Sequence, residues 1–255
     1  MAVRPDELIR PGCRLGHAVT VTPLTGSTND DARVLAVAGA AEGVAVLAEE
    51  QSAGRGRLDR RWLSDPGCNL LFSVILRPAR LDRPGLITLA AGVGLCAALR
   101  AAGVDAKIKW PNDLRARGKK LAGILCEAGC GPGGDFVVLG IGLNVNQATF
   151  APELAATSCS AELGRAVPRA PLFRRALAEM EAALALAESD PPALLAAWLD
   201  RAECRGRRVR AETPAGVVEG LAVGVRDDGA LLVRDDAGEE RVVVAGDVVI
   251  LGCQE

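Results

Sequence analysis

At 255 residues the chain has room for one sizeable domain, or for a main domain with a small appendage. A net charge of −2, with 3% aromatic residues and no tyrosine, argues against a broad basic face for phosphate backbones and against a platform for stacking bases. The 49% hydrophobic content supplies a core of Ala, Val, Leu and Ile, which excludes a chain dominated by disorder.

Met1 to Leu15 is charged and interrupted by proline, so it does not read as a leader, and a cytoplasmic protein is expected. Residues 1–22 are too few for a helix-turn-helix module. Ser27-Thr28-Asn29-Asp30-Asp31, followed by Ala32, Val34, Leu35 and Val37, predicts a side-chain-capped helix of about three turns that ends near Gly39 to Gly43. Val44 to Ala48 reads as a buried strand leading into the loop Gln51 to Arg57, and Asn69 to Leu76 as a second strand covered on both faces.

Leu86 to Leu99 carries no charge until Arg100. It falls short of the roughly 20 residues a bilayer-spanning helix needs, so a buried core helix and no membrane association are expected. Lys107 to Trp110 is a short alternating strand stopped by Pro111-Asn112-Asp113. A hairpin return through Gly118 to Leu125 and an apolar strand from Phe136 to Asn144 follow. Phe173, Leu177, Met180 and Leu184 mark an amphipathic helix over 171–188 opened by Pro171, and Pro191-Pro192 separates it from a second helix around Leu194 to Leu199. From Gly206 onward, short Val-rich runs separated by Asp227-Asp228-Gly229 and Asp235-Asp236-Ala237-Gly238 suggest a small barrel of about five strands. The division is therefore 1–205 for a main domain and 206–255 for the barrel.

The chemistry sits in polar loops set into this apolar scaffold. Gly54-Arg55-Gly56-Arg57 places two guanidinium groups on a permissive backbone that can approach an anion, although by itself it reads equally as a solvated turn or a generic RNA contact. Position 59 is aspartate, so it is not a dinucleotide fingerprint. Lys109-Trp110-Pro111-Asn112-Asp113 sets a cation beside an amide and a carboxylate, a combination suited to a nucleotide triphosphate with its Mg²⁺, or simply to a turn. Gly118-Lys119-Lys120 is no Walker loop, though one of its lysines could face a buried anion. The eight cysteines are scattered and there is one histidine, His17, so neither a zinc site nor a disulfide scaffold is indicated. His17 reads as a surface residue, Cys126 and Cys130 as strand and turn residues, and the Asp pairs as turns.

Five blocks in order, Ser27-Thr28-Asn29, Gln51 to Arg57, Lys109 to Asp113, Lys119 to Leu125 and Gly140-Ile141-Gly142-Leu143-Asn144-Val145-Asn146, resemble the signature of biotin–protein ligases. The resemblance implies an α+β fold: a catalytic domain like that of class II aminoacyl-tRNA synthetases, with a mixed sheet and flanking helices, followed by a small SH3-like barrel. It implies an enzyme that uses ATP with Mg²⁺ to convert biotin to biotinyl-5′-AMP. The acyl group then passes to a lysine of the biotin carboxyl carrier domain of acetyl-CoA carboxylase.

Carried over position by position, Ser27, Thr28, Asn29, Gln51, Arg55, Gly56, Arg57 and Lys120 would hold biotin, and Gly54, Arg57, Trp110, Asn112 and Asn144 the nucleotide. Arg55, Arg57, Lys120 and Lys109 would act in catalysis, and Asp113 would meet Mg²⁺. The short N-terminal segment implies a monofunctional ligase without DNA as a partner; a homodimer is allowed, as in some relatives. Lipoate–protein ligase of the same fold and a non-catalytic biotin-sensing regulator are the alternatives.

Overall fold

The computed structural model describes residues 3–58, 60–79 and 83–251. A single-turn helix, α1 (Pro5–Leu8), and a strand, β1 (Ala18–Thr22), open the chain. Neither is among the elements predicted from the sequence. The helix predicted after Ser27 is α2 (Thr28–Val37). Ser27 takes the N-cap position, but its side chain forms no capping bond, which corrects the expected cap. The residue is 4% exposed and lines the cleft described below.

Strands β2 (Val44–Ala48) and β3 (Leu70–Leu76) lie where predicted, and every residue of β3 is buried. The apolar segment is the helix α3 (Pro84–Ala101). It is long and apolar enough to cross a membrane by composition, yet 61% of it is buried inside the fold. Four strands follow: β4 (Ala106–Lys109), β5 (Asp113–Ala116), β6 (Lys119–Gly131) and β7 (Gly134–Leu143). β5 was not anticipated, because its four residues hide between two turn signals. The seven strands run in the order β1-β2-β3-β7-β6-β5-β4, parallel only between β1 and β2, which is the expected mixed sheet.

A short helix, α4 (Cys159–Leu163), is capped by the Ser158 hydroxyl, which accepts from Ala161 N–H. Helix α5 (Arg169–Ser189) starts two residues before Pro171, with Pro168 as its N-cap. The early start is explained by Arg169, whose buried guanidinium donates to Glu49 Oε2 at 2.7 Å and so ties this helix end to the segment after β2. The Asp190 side chain accepts from Ala193 N–H and opens α6 (Pro191–Arg201).

Helices α3 and α5 cross at near-backbone contact. A Cβ on Gly94 would lie 2.4 Å from Met180 Cα, so the crossing requires glycine for space alone. Gly94→Ala should lower unfolding stability by about 1–3 kcal/mol through forced separation of the two helices, measured by urea denaturation with an unchanged m-value.

The remaining strands, β8 (Arg208–Thr213), β9 (Gly216–Val225), β10 (Leu231–Arg234), β11 (Glu240–Val243) and β12 (Asp247–Ile250), form an antiparallel sheet ordered β11-β10-β9-β8-β12. Its Asp-rich connections are turns, as read: Asp228 Oδ1 accepts from Ala230 N–H, and Asp235 Oδ1 from Ala237 and Glu239 N–H. The β9–β10 turn rests on the start of α3, where a Cβ on Gly85 would lie 2.1 Å from Asp228 O. Buried Trp110 adds an indole N–H bond to Gly229 O at 3.0 Å. Val209, Ala222, Leu231 and Val243 belong to the same buried cluster as α3 and β3.

Candidate active site

The N-terminus of α2, the loop after β2 and the middle of β6 and β7 line an open cleft. Ser27, Thr28, Asn29, Gln51, Arg55 and Gly56 line it, with Lys120 at the start of β6. Seven of the eight residues expected to hold biotin are thus brought together, and Arg57 borders an adjoining cleft.

One wall is a hydrogen-bonded chain of side chains. Gln51 Oε1 accepts from Thr28 N–H at 2.8 Å and from the Thr28 hydroxyl at 3.0 Å. Ser73 Oγ, buried on β3, lies 2.8 Å from Thr28 Oγ1 and donates to Asn29 Oδ1 at 2.6 Å. Asn29 Nδ2 in turn donates to Glu127 Oε2 at 2.6 Å. Gly140 faces this amide so closely that a Cβ would lie 2.0 Å from Asn29 Oδ1. Asn29 therefore lines the cleft, but both ends of its amide are already engaged. Ser73 is the one hydroxyl in an otherwise apolar strand, and that contrast is the sequence signal that could have singled it out.

The floor is bare backbone. Gly123 and Gly142 are register partners on β6 and β7, and the Trp62 indole lies across them; a Cβ would meet its ring at 3.1 Å from Gly123 and 2.5 Å from Gly142. Lys120 Nζ stands 5.6 Å from the centre of that ring and 2.8 Å from Asp113 Oδ1. Trp62 was not anticipated, although it is one of only three tryptophans and follows the arginine loop directly.

That loop is a tight hairpin: Trp62 N–H donates to Gly54 O at 2.9 Å and Gly56 N–H to Arg60 O at 2.6 Å. Gly54 is required for space, since a Cβ would lie 2.7 Å from Trp62 O. Each arginine described here has an acceptor. Arg55 donates to Asp30 Oδ1 and Glu127 Oε2, Arg57 to Asn112 Oδ1 at 3.3 Å, Arg61 to Ser52 O, and Arg60 to Asp247 on β12. The Arg60 guanidinium beside it holds the Asp247 carboxyl below the usual carboxylate range.

The adjoining cleft is lined by Arg57, Thr88, Trp110 and Asn112, with Asp228 and Gly229 from the second sheet. Trp110 and Asn112 are where nucleotide contacts were expected. Lys109, expected to act in catalysis, sits on edge strand β4 opposite Asp113; its other charged neighbours are Arg115, Glu203 and Asp247, and burial pushes its pKa down. Asn144 is buried, donates from Nδ2 to Thr157 O at 3.0 Å, and leaves Oδ1 without a partner. Among the described residues no group of three His, Cys, Asp or Glu side chains could hold a metal ion. His17 is half-buried with Nδ1 near Arg14 O, and Cys130, expected in a turn, is still within β6.

The chemistry of this site, an acceptor-rich pocket with a cationic loop above it, is that of a ligase that activates a small carboxylic acid. Residues 21–146 match the Biotin/lipoate A/B protein ligase family and residues 206–251 the Biotin protein ligase C terminal domain. The chain is 40% identical to the biotin–[acetyl-CoA-carboxylase] ligase of Mycobacterium tuberculosis, covering 96% of this chain and 93% of that protein. It is 35% identical to the bifunctional ligase/repressor BirA of Bacillus subtilis, over 91% of this chain and 74% of that one. Among solved structures, the biotin protein ligase from Aquifex aeolicus in complex with biotin and ATP superposes with a TM-score of 0.80 at 25% identity, covering 92% of this chain and 98% of that one. The chain belongs to this ligase family, and within it to the biotin–protein ligases.

Gly140→Ala should displace the Asn29 amide. Loss of that buried bond should raise KM for biotin on the order of 10-fold or more while leaving KM for ATP unchanged, as read by steady-state kinetics in both substrates.

Proposed function

We propose that this ligase activates biotin in the first cleft with ATP seated in the second, and then biotinylates a lysine of the biotin carboxyl carrier domain of acetyl-CoA carboxylase. The observation that carries the choice of biotin is a shortage of hydrogens. The hydroxyls of Ser73 and Thr28 supply two hydrogens for three oxygen–oxygen contacts, to each other, to Asn29 Oδ1 and to Gln51 Oε1. A pocket with surplus acceptors favours a head group that donates. The ureido ring of biotin has two N–H groups, whereas the dithiolane of lipoate has none, so the lipoate alternative is disfavoured.

The first half-reaction brings two anions together. A biotin carboxylate oxygen attacks the α-phosphorus of ATP, the bond from that phosphorus to the bridging oxygen breaks, and pyrophosphate leaves. Lys120 would turn from Asp113 to the biotin carboxylate and α-phosphate, and Arg55 and Arg57 would offset the remaining repulsion. Mg²⁺ would enter on the phosphates and neutralise departing charge. Asp113 is the candidate single carboxylate, a mode Mg²⁺ commonly uses with phosphate substrates. Asn112, Trp110 and Gly54 are proposed around the nucleotide, and Asn144, whose buried Oδ1 has no partner, is added there on the family resemblance alone. In the second half-reaction the lysine amine attacks the acyl carbon, AMP leaves with the phosphate oxygen, and the amine loses a proton.

The mixed anhydride must be kept from water while the acceptor docks, and the arginine hairpin is the element proposed to cover it. Arg57→Ala or Gly54→Ser should therefore speed loss of bound biotinyl-5′-AMP. Unchanged retention of labelled adenylate in a filter assay would rule out that role.

Free thiols at the seven described cysteines fit a reducing, cytoplasmic setting. DNA is not proposed as a partner, in keeping with the net charge of −2. A homodimer has a candidate seam on β6, whose register with β5 covers Lys119 to Gly123 and stops there, well before the strand ends at Gly131. The acceptor reading is tested by intact-mass analysis of a biotin carboxyl carrier domain incubated with the protein, ATP, Mg²⁺ and either biotin or lipoate. A mass increase is expected with biotin alone; an increase with lipoate alone would overturn the choice.

A further inference from the structure

Glu127 stands out because a site that gathers two anions gains nothing from another carboxylate beside it unless that carboxylate does something specific. It lies on β6 seven residues beyond Lys120, at most about 23 Å along the strand, and lines a shallow pocket beside the cleft together with Arg55, Gly56 and Arg57. A single oxygen, Oε2, accepts from Asn29 Nδ2 at 2.6 Å and from Arg55 NH2 at 2.9 Å. The Glu127 side chain is 22% exposed, against 57% for Asp30, the other acceptor of Arg55, so Glu127 is the less screened of the two anchors. Only one nitrogen of Arg55 is used, and its Nε and NH1 remain directed to neither acid.

We propose that Glu127 is a positioning residue that couples the biotin cradle to the arginine hairpin. Its carboxylate orients the Asn29 amide, and through Ser73 and Thr28 that orientation reaches Gln51. The same oxygen holds the first arginine of the hairpin over the cleft. The hairpin thus closes on a wall whose hydrogen-bond directions are already set, and loosening either one loosens the other. The inference rests on the ligase reading above.

Glutamine separates the two duties. It keeps an oxygen for Asn29 but gives up the charge that holds Arg55. Wild type, Glu127→Gln and Glu127→Ala would be compared for the rate at which bound biotinyl-5′-AMP escapes before transfer, for KM of biotin and of ATP, and for melting temperature. Glu127→Gln should release adenylate about tenfold faster with KM for biotin within about twofold of wild type. Glu127→Ala should release it as fast and also raise KM for biotin about tenfold, with KM for ATP little changed. Wild-type retention in Glu127→Gln would overturn the proposal. So would parallel rises in both KM values accompanied by a lower melting temperature, the pattern of a merely structural role. If Glu127→Ala does not fold, the release rate of Glu127→Gln decides alone. A wild-type protein that makes no adenylate from biotin and ATP would instead overturn the ligase reading, and the proposal with it.

Discussion

The Asn29 amide is held at both ends, by a hydroxyl from β3 and a carboxylate from β6, against a residue of β7 that has no side chain. Three adjacent strands and the start of α2 are fixed to one another by this one planar group. Buried amides cost heavily when left unpaired, so the arrangement admits little adjustment. The position of Thr28, the path of Gln51 and the anchorage of Arg55 all follow from it. Ser27 and Thr28 can line a ligand cleft because the helix end they occupy is located by Asn29 and does not depend on a side-chain cap.

The second governing condition is charge. A site built to receive a carboxylate and a triphosphate carries more cations than it could tolerate alone, and here each cation rests against an acceptor of the protein itself. Lys120 rests on Asp113, Arg55 on Asp30 and Glu127, and Arg60 on Asp247, while Arg57 leans on a neutral amide. The acids come from α2, β5, β6 and β12, so the folded sheets deliver a counter-charge that no single loop could supply. Incoming anions then exchange with carboxylates already in place, which is cheaper than ordering free arginines from water.

Much of this could be read from residue order. The buried strands, the core helix α3 and the five later strands follow from apolar runs and turn residues; the mixed sheet and the biotin contacts came with the family resemblance, and seven of the eight expected contacts meet in one cleft. What escaped reading depends on contacts between distant segments. Trp62 matters because Gly123 and Gly142 leave a flat surface beneath it, and Glu127 because its oxygen lies between two elements remote in the chain. Strand pairing likewise sets Lys109 on an edge among Arg115, Glu203 and Asp247, a neighbourhood that its place in the motif does not reveal. The short helices α1 and α4 carry too few residues to reveal a period.

The seat of the β9–β10 turn on α3 has a consequence for how such a chain can change. Gly85 and the turn meet at backbone distance, Trp110 is satisfied by a carbonyl of that turn, and residues of both sheets share one apolar cluster. The C-terminal strands are thus a part of the wall and not a bead on a string. A graft that exchanged them for the corresponding strands of a relative would have to bring its own glycine and its own carbonyl to the same places. Drift in the two segments is therefore yoked, and any variation in the cleft they share has to be negotiated by both at once.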